Sequence, residues 1–482
     1  MKMSDTGVTV KKSEDFSEWY TQVVLKSGMA DYAPVKGCMI FREHSYAIWE
    51  KIQDLFNKRI KSTGHKNVYF PLFIPESFLK KEAEHFEGFV PEVAWVTVGG
   101  NSPLEERLAI RPTSETIMYA TFSRWIRSWR DLPIKLNQWC SVVRWETKAT
   151  KLFLRTREFL WQEGHTAHAT KEEADKEVME ILGFYKEIME DYLAVPVLTG
   201  KKTENEKFAG ALYTMTLEAL MPDGKALQMG TSHNLGQHFS KVFDIKFLDR
   251  NEKETPVWQT SWGISSRTIG ALTMVHGDDK GLVLPPKIAP VQVVIVPIPY
   301  KNLEADQIST KTKEIFRKLH EKGIEVVLDD RPEYTPGWKF NEWELKGVPI
   351  RIEVGPRDIK QKQVTLARRD THTKTAVKEN KTVETTEKML QEIQDDLFNK
   401  AKKYLTSNTF TAQNYDEFKK TLTEKGGFIK ASWCGDSKCE ETIKEETGAT
   451  IRLIPLEKEK TFSKCVRCGQ EAKETVYFAR SY

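Results

Sequence analysis

Residues 142–168 read VVRWETKATKLFLRTREFLWQEGHTAH, and the way this stretch pairs with itself decides the fold of the first half of the chain. Its opening alternates: Val143, Trp145 and Thr147 fall on one face, and Val142, Arg144 and Glu146 fall on the other. The segment TREFLWQEGH returns with the same period of two, and KATKLFLR between them is a basic turn. The pattern predicts two antiparallel strands joined by a cationic loop. One face then presents Arg144, Glu146, Arg155 or Arg157, and Glu163, which sets guanidinium forks beside carboxylates. Such a mixture suits a site that grips phosphate or carboxylate oxygens bidentately and holds an amine nearby. A solvated sheet face with weak surface ion pairs has the same pattern, so the rest of the chain has to decide.

The chain has 482 residues, room for about two to four domains. With 39% hydrophobic and 29% charged residues it has an ordinary globular composition and ample apolar material for cores. No apolar run approaches membrane-spanning length, and MKMSDTGVTVKKSEDF at the N-terminus lacks the apolar segment of a signal peptide. A cytoplasmic protein without a membrane partner is expected. A net charge of +4 allows local basic faces but excludes a general polycation.

From Cys38 to Lys61 the apolar residues Ile48, Trp49, Ile52, Leu55, Phe56 and Ile60 keep helical spacing, with Gly64 as a stop. NVYFPLFIP follows as a strand-like run whose Pro71 belongs at a sheet edge or where pairing ends. Residues 92–116 read as strands around a polar tip, and Arg111-Pro112-Thr113-Ser114-Glu115 then opens a helix, at which Ser114 and Glu115 are natural caps. Residues 170–191 form an acidic amphipathic helix. Further on, Gly263, Ser265 and Arg267 lead into another helix, small residues that let a nucleotide lie near backbone while an arginine clamps phosphate.

Pro285-Pro286 punctuates a change of composition, so domains are expected at 1–284, 285–405 and 406–482. The second alternates strands (VQVVIVPI, IEVVLDD, VPIRIEV, KQVTLARR) with helices at 305–321, around 340–345 and from about 387 to 404, which predicts a parallel or mixed α/β sheet. No glycine-rich phosphate loop follows its first strand, which argues against a dinucleotide site. The third holds Cys434-x4-Cys439 and Cys465-x2-Cys468 around the strand-like TIRLIPL, a spacing suited to a structural zinc ion held by four thiolates. Cys38 and Cys140 stand alone in apolar surroundings and read as core residues.

These pieces carry a resemblance. Arg144-Trp145-Glu146, a loop, and Arg155-x3-Phe159-x3-Glu163 resemble the second signature motif of the class II aminoacyl-tRNA synthetases. Gly64 followed by Pro71-Leu72-Phe73 resembles the first motif, and Gly263-Ile264-Ser265-Ser266-Arg267 the third. RTREFLWQEGHTAH and Thr113-x-Glu115 are similar to the prolyl-tRNA synthetases within that class. The resemblance implies an antiparallel catalytic sheet flanked by helices, an α/β anticodon-binding domain and a small zinc-containing α+β domain. It implies ATP and Mg²⁺, L-proline and its cognate tRNA as partners, and a homodimer built on the first motif.

By motif position, Arg144 and Arg267 are the catalytic residues, with Arg144 bridging the substrate carboxylate and the α-phosphate. Arg155 and Arg267 would grip the outer phosphates, Glu146 and the backbone near Thr156 would fix adenine, and Gln228, Thr231 and Ser265 would complete the nucleotide site. Thr113 and Glu115 would take the secondary ammonium, while Trp161, Glu163, His165, Phe208 and His233 would shape the pocket. For Trp161 and Phe208 plain core packing is the competing role, and for both histidines a structural hydrogen bond. Tyr482 matches the terminal tyrosine of relatives of this type. Fewer than a hundred residues separate Glu163 from Trp262, too few for an editing domain, which is the compact archaeal and eukaryotic pattern. A threonyl or histidyl enzyme and a non-catalytic tRNA-binding paralogue are the alternatives. The first would place zinc in the catalytic pocket, and the last would lose the phosphate-gripping arginines.

Overall fold

A computed structural model describes residues 7–83, 92–145, 149–298, 305–459 and 462–482. Glu146 lies outside the described residues, and so does part of the cationic loop. The first half is built on helix α1 (Glu43–Ser62) and helix α2 (Glu115–Trp125), followed by strands β1 (Ile134–Val143) and β2 (Glu158–His168). Helix α3 (Lys171–Glu187) then leads to β3 (Leu198–Lys201), β4 (Tyr213–Leu220), β5 (Ala226–Gly236) and β6 (Trp258–Ser265), and helix α4 (Arg267–His276) closes the series.

The expected antiparallel pair is present, but its first strand lies earlier than the alternation of SVVRWET implies, running over Ile134–Val143 and ending before Arg144. Strands β1 and β2 pair antiparallel from Ile134↔Ala167 to Val143↔Glu158. They continue an antiparallel sheet in the order β3-β4-β5-β6-β2-β1. One face packs on helices: Trp262 and Ile264 of β6 join Trp49, Ile52 and Phe56 of α1, Tyr185 of α3 and Ile269 of α4 in the largest apolar cluster. Alternation then sends Trp161, Glu163 and His165 of β2 and Ser261, Gly263 and Ser265 of β6 to the opposite face, where the cavity lies. Helix α1 begins later than the sequence pattern implies, because Met39–Phe41 forms a short strand with Ala30–Tyr32 first. Pro71 sits between two short strands of different sheets, Lys66–Asn67 on the edge of the main sheet and Phe73–Pro75 beside Ser102–Ile110.

Residues 293–378 form a mixed five-stranded sheet with two parallel and two antiparallel neighbour pairs. Helix Pro336–Leu345 starts before the predicted segment because proline is favourable in a first helical turn. Helix Thr382–Ser407 is likewise longer than expected.

The cysteine-bearing region is not a separate tail. Its strand Thr450–Pro455 pairs with β3 through Ile454↔Lys201 and Pro455↔Gly200, so the catalytic sheet runs on into it. Gly200 makes this possible, since a Cβ there would stand 2.3 Å from the Ile454 carbonyl oxygen. Beneath the junction the fully buried Glu218 accepts from Lys202 Nζ at 2.7 Å and from Arg452 Nη2 at 3.0 Å. A buried carboxylate is tolerable only with such partners.

Candidate active site

Two adjoining cavities lie on the open face of the sheet, one of about 310 Å³ and one of about 230 Å³, sharing Arg144, Phe159, Ser265 and Arg267. The larger is lined by Thr113, Glu115, Trp161, Glu163, His165, Phe208, Gln228, Thr231 and His233 among others. The smaller holds Arg155, Thr156 and Tyr482. Every candidate active-site residue within the described residues therefore lines one cavity or the other. Of the pair Arg155 and Arg157, only the first does so; Arg157 stacks on the exposed Trp145 at 4.4 Å.

The position of Gln228 depends on an irregularity. Strands β4 and β5 slip register between Leu217↔Gly230 and Glu218↔Gln228, leaving Met229 as an extra residue in the helix-side core. One inserted residue inverts the alternation, so Gln228 and Thr231, three apart, face the same cavity.

At the Glu115 end of the larger cavity the groups are joined in one network. Glu163 accepts from Ser114 N at 3.0 Å, from Ser114 Oγ, from Gln138 Nε2 at 3.0 Å and from His165 Nε2 at 3.1 Å. His165 Nδ1 meets Tyr119 Oη at 3.0 Å. Ser114 thus sits at the helix start without capping it, because its side chain is committed to Glu163. Thr113 Oγ1 donates to Glu115. Burial alone would lower His165, yet the hydrogen bond to Glu163 and the nearby Glu115 charge carry it above its ordinary value. Burial likewise opposes ionisation of Glu163, but the hydrogen bonds from His165, Ser114 and Gln138 hold it below the usual carboxylate range. Glu115 has no such set of donors, and burial raises it. Phe208 and His233 form the far wall, ring centroids 4.8 Å apart, with burial pushing His233 down to about 3. His233 is therefore neutral and fixed by Thr214 Oγ1 at 2.8 Å. Cys140 lies behind Trp161, 3.3 Å from its indole nitrogen and 3.5 Å from Glu163 Oε1, so its surroundings are more polar than expected.

The other end collects positive charge. Arg144 lies over the Phe159 and Trp161 rings at 5.4 and 5.6 Å. Arg267 donates through Nε to the Leu154 carbonyl at 3.1 Å. Burial, and then the neighbouring Arg144, push Arg267 down to about 10, the signature of cations gathered for an anion. Tyr482 closes this end, its hydroxyl donating to Asp223 Oδ2 at 2.6 Å and its ring beneath Lys225 Nζ at 4.9 Å.

Sequence reasoning missed Ser114, Gln138, Tyr119 and Thr214 as supports. The register Gln138↔Glu163 would have flagged Gln138, but it follows only once the loop is closed at a known length.

Two groups could hold a metal. Cys434, Cys439, Cys465 and Cys468 bring their sulfurs within 4.8 Å of one another, unbridged, with Cys434 and Cys468 at 3.8 Å. Sulfurs at a tetrahedron's corners about 2.3 Å from zinc are about 3.8 Å apart, so the donor set fits. Ligand atoms of Glu115, Glu163 and His165 also lie within 4.8 Å of one another, inside the larger cavity.

The family description tRNA synthetase class II core domain (G, H, P, S and T) matches residues 95–276, Anticodon binding domain matches 292–389, and Prolyl-tRNA synthetase, C-terminal matches 415–482. With three arginines gathered on an antiparallel sheet, these matches define a class II aminoacyl-tRNA synthetase, an enzyme. Similar proteins narrow the class. A proline–tRNA ligase of Natranaerobius thermophilus is 56% identical over 98% of this chain and 97% of its own length. One of Alkaliphilus oremlandii is 56% identical over 97% and 96%, and proline–tRNA ligase 2 of Clostridioides difficile is 55% identical over 98% and 97%. The chain belongs to the proline–tRNA ligase family. These relatives are bacterial, so the compact pattern without an insertion is not confined to archaea and eukaryotes.

Proposed function

We propose that the two cavities form one site in which L-proline is activated by ATP and then transferred to its cognate tRNA. The observation that carries this reading is that Arg144, Arg155 and Arg267 line one cavity, which opens past Arg144 and Phe159 into a pocket ending at Thr113 and Glu115. The proline carboxylate attacks the α-phosphorus, an oxygen–phosphorus bond forms, and the bond to the β-phosphate breaks to release pyrophosphate. A ribose hydroxyl of the tRNA then attacks the acyl carbon, and AMP leaves. Neither step needs a protein nucleophile; positioning and charge neutralisation are the protein's contribution.

Arg144 bridges the carboxylate and the α-phosphate, while Arg155 and Arg267 take the outer phosphates. Glu146 and Thr156 hold adenine, and Gln228, Thr231 and Ser265 the rest of the nucleotide. Magnesium arriving with ATP would neutralise phosphate charge. Thr113 and Glu115 receive the secondary ammonium. Trp161, Phe208 and His233 enclose the flat pyrrolidine, whose cationic edge suits aromatic walls. Glu163 is committed to His165, Ser114 and Gln138, whereas Glu115 accepts only from Thr113 among these side chains, which suits it to meet the ammonium.

We assign residues 1–284 to catalysis, 285–405 to the anticodon and 406–482 to a structural zinc ion, in a cytoplasmic homodimer. Tyr69 and Phe73, 70% and 43% exposed beside Pro71, support the dimer contact. Replacing Cys434 with Ser should release zinc and lower the melting temperature, with exchange per folded molecule nearly unchanged, as measured by metal analysis, melting and active-site titration. The functional test is amino-acid-dependent pyrophosphate exchange with all twenty amino acids. Proline should dominate; a preference for another amino acid, or no exchange, would overturn the reading.

A further inference from the structure

Helix α4 begins at Arg267, which lines the phosphate cavity, and is ten residues long. At 1.5 Å per residue its ends stand about 14 Å apart. All but two of its residues are buried, so it responds to force at one end as a packed rod.

The far end is held firmly. Lys12 Nζ donates to the carbonyls of Met274 and Gly277 at 2.7 Å each, and Trp19 Nε1 donates to the Asp278 carbonyl at 2.9 Å. The remaining grip comes from the anticodon-binding domain. Arg369 donates through Nη1 to Asp278 Oδ2 at 2.7 Å and through Nη2 to Oδ1 at 2.6 Å, while its Nε donates to the Glu344 carbonyl at 2.7 Å. Arg369 is 3% exposed. A fork occupied on both arms and at Nε permits one orientation.

The backbone beside this pair has no slack. Leu282 N donates to the Leu345 carbonyl at 3.0 Å and Leu284 N to that of Gly347 at 3.1 Å. Gly281, at φ +133°, approaches so closely that a Cβ would stand 2.7 Å from the Leu345 carbonyl oxygen. On its own domain Arg369 lines a small recess with Trp343, Glu344 and Arg351. A displacement there reaches Asp278 through two hydrogen bonds and Arg267 through one helix.

We infer that Arg369 and Asp278 are positioning residues for Arg267, coupling the anticodon-binding domain to the phosphate end of the site. This rests on the function proposed above. The test is pyrophosphate exchange by the full-length enzyme carrying R369A, R369K or D278N, normalised to active-site concentration. R369A and D278N should each raise the KM for ATP about fivefold or more, within the usual range for coupled sites. The KM for proline should stay constant, and R369K should fall between wild type and R369A. A pair that served stability alone would reduce the fraction of active enzyme and leave both constants where they were. That result, or an equal rise in both constants, would overturn the inference. Should R369A not fold, D278N is read in the same way. Absence of proline-dependent exchange in the wild type would remove the functional reading and the inference together, whereas normal exchange with unchanged variants removes the inference alone.

Discussion

The two ends of the site share four residues but are finished to different degrees. At the Glu115 end the carboxylates and His165 have partners: Glu163 accepts four hydrogen bonds from nitrogen and oxygen donors, His165 lies between Glu163 and Tyr119, and Thr113 serves Glu115, while Ser261 Oγ on the same wall has none among the described residues. Among the described residues no Asp or Glu side chain lines the smaller cavity, where Arg144, Arg155 and Arg267 stand together. One end is pre-organised by the fold, and under the function proposed above the other would be completed by its ligand. On that proposal, preorganisation would fix which amino acid fits, and gathered cations would supply binding that strengthens as negative charge moves onto the phosphates.

Substitutions should separate the two ends. Arg144→Ala, which touches both, should have the largest effect, lowering kcat for exchange by about 10²- to 10³-fold with the fold intact by circular dichroism. Glu115→Gln should raise the KM for proline about 30-fold, roughly 2 kcal/mol, with the KM for ATP unmoved. A comparable rise in both constants would mean that the ends are not distinct. If the Glu115, Glu163 and His165 cluster instead held a metal ion, protein treated with chelator, freed of it and assayed with magnesium restored would stay folded but lack exchange.

Glu163→Gln should act on stability, costing about 1–3 kcal/mol by denaturant unfolding near neutral pH. The folded state holds Glu163 below its ordinary value of 4.5. Its contribution is therefore present above that pH and is lost as pH falls through the depressed value. The difference between wild type and E163Q should shrink in acid. Smallest of all, Arg267→Ala should leave the melting temperature of the ligand-free protein unchanged or slightly higher, since it removes a cation that burial, and then Arg144, disfavour. A clear drop would show that the phosphate end, too, is built for stability.

What could be read beforehand follows the same division. The arginines, the Thr113-x-Glu115 element and the hairpin of residues 142–168 were legible because period-two alternation and motif spacing are local properties. Three features depend on contacts distant in sequence and were not. The bulge at Met229 decides which face Gln228 takes, and it arises from pairing with Leu217 and Glu218. Ser114 looks like a cap until a strand almost fifty residues away brings Glu163 to it. The cysteine-bearing region looks detached until Ile454 pairs with Lys201 and Arg452 reaches Glu218.

Calorimetric titration of a non-hydrolysable prolyl-adenylate sulfamate tests most directly whether the two cavities are one site. The compound should bind far more tightly than proline or ATP alone, and Glu115→Gln and Arg144→Ala should each weaken it. Affinity no better than that of ATP, or sensitivity to only one of the two substitutions, would contradict a single continuous site.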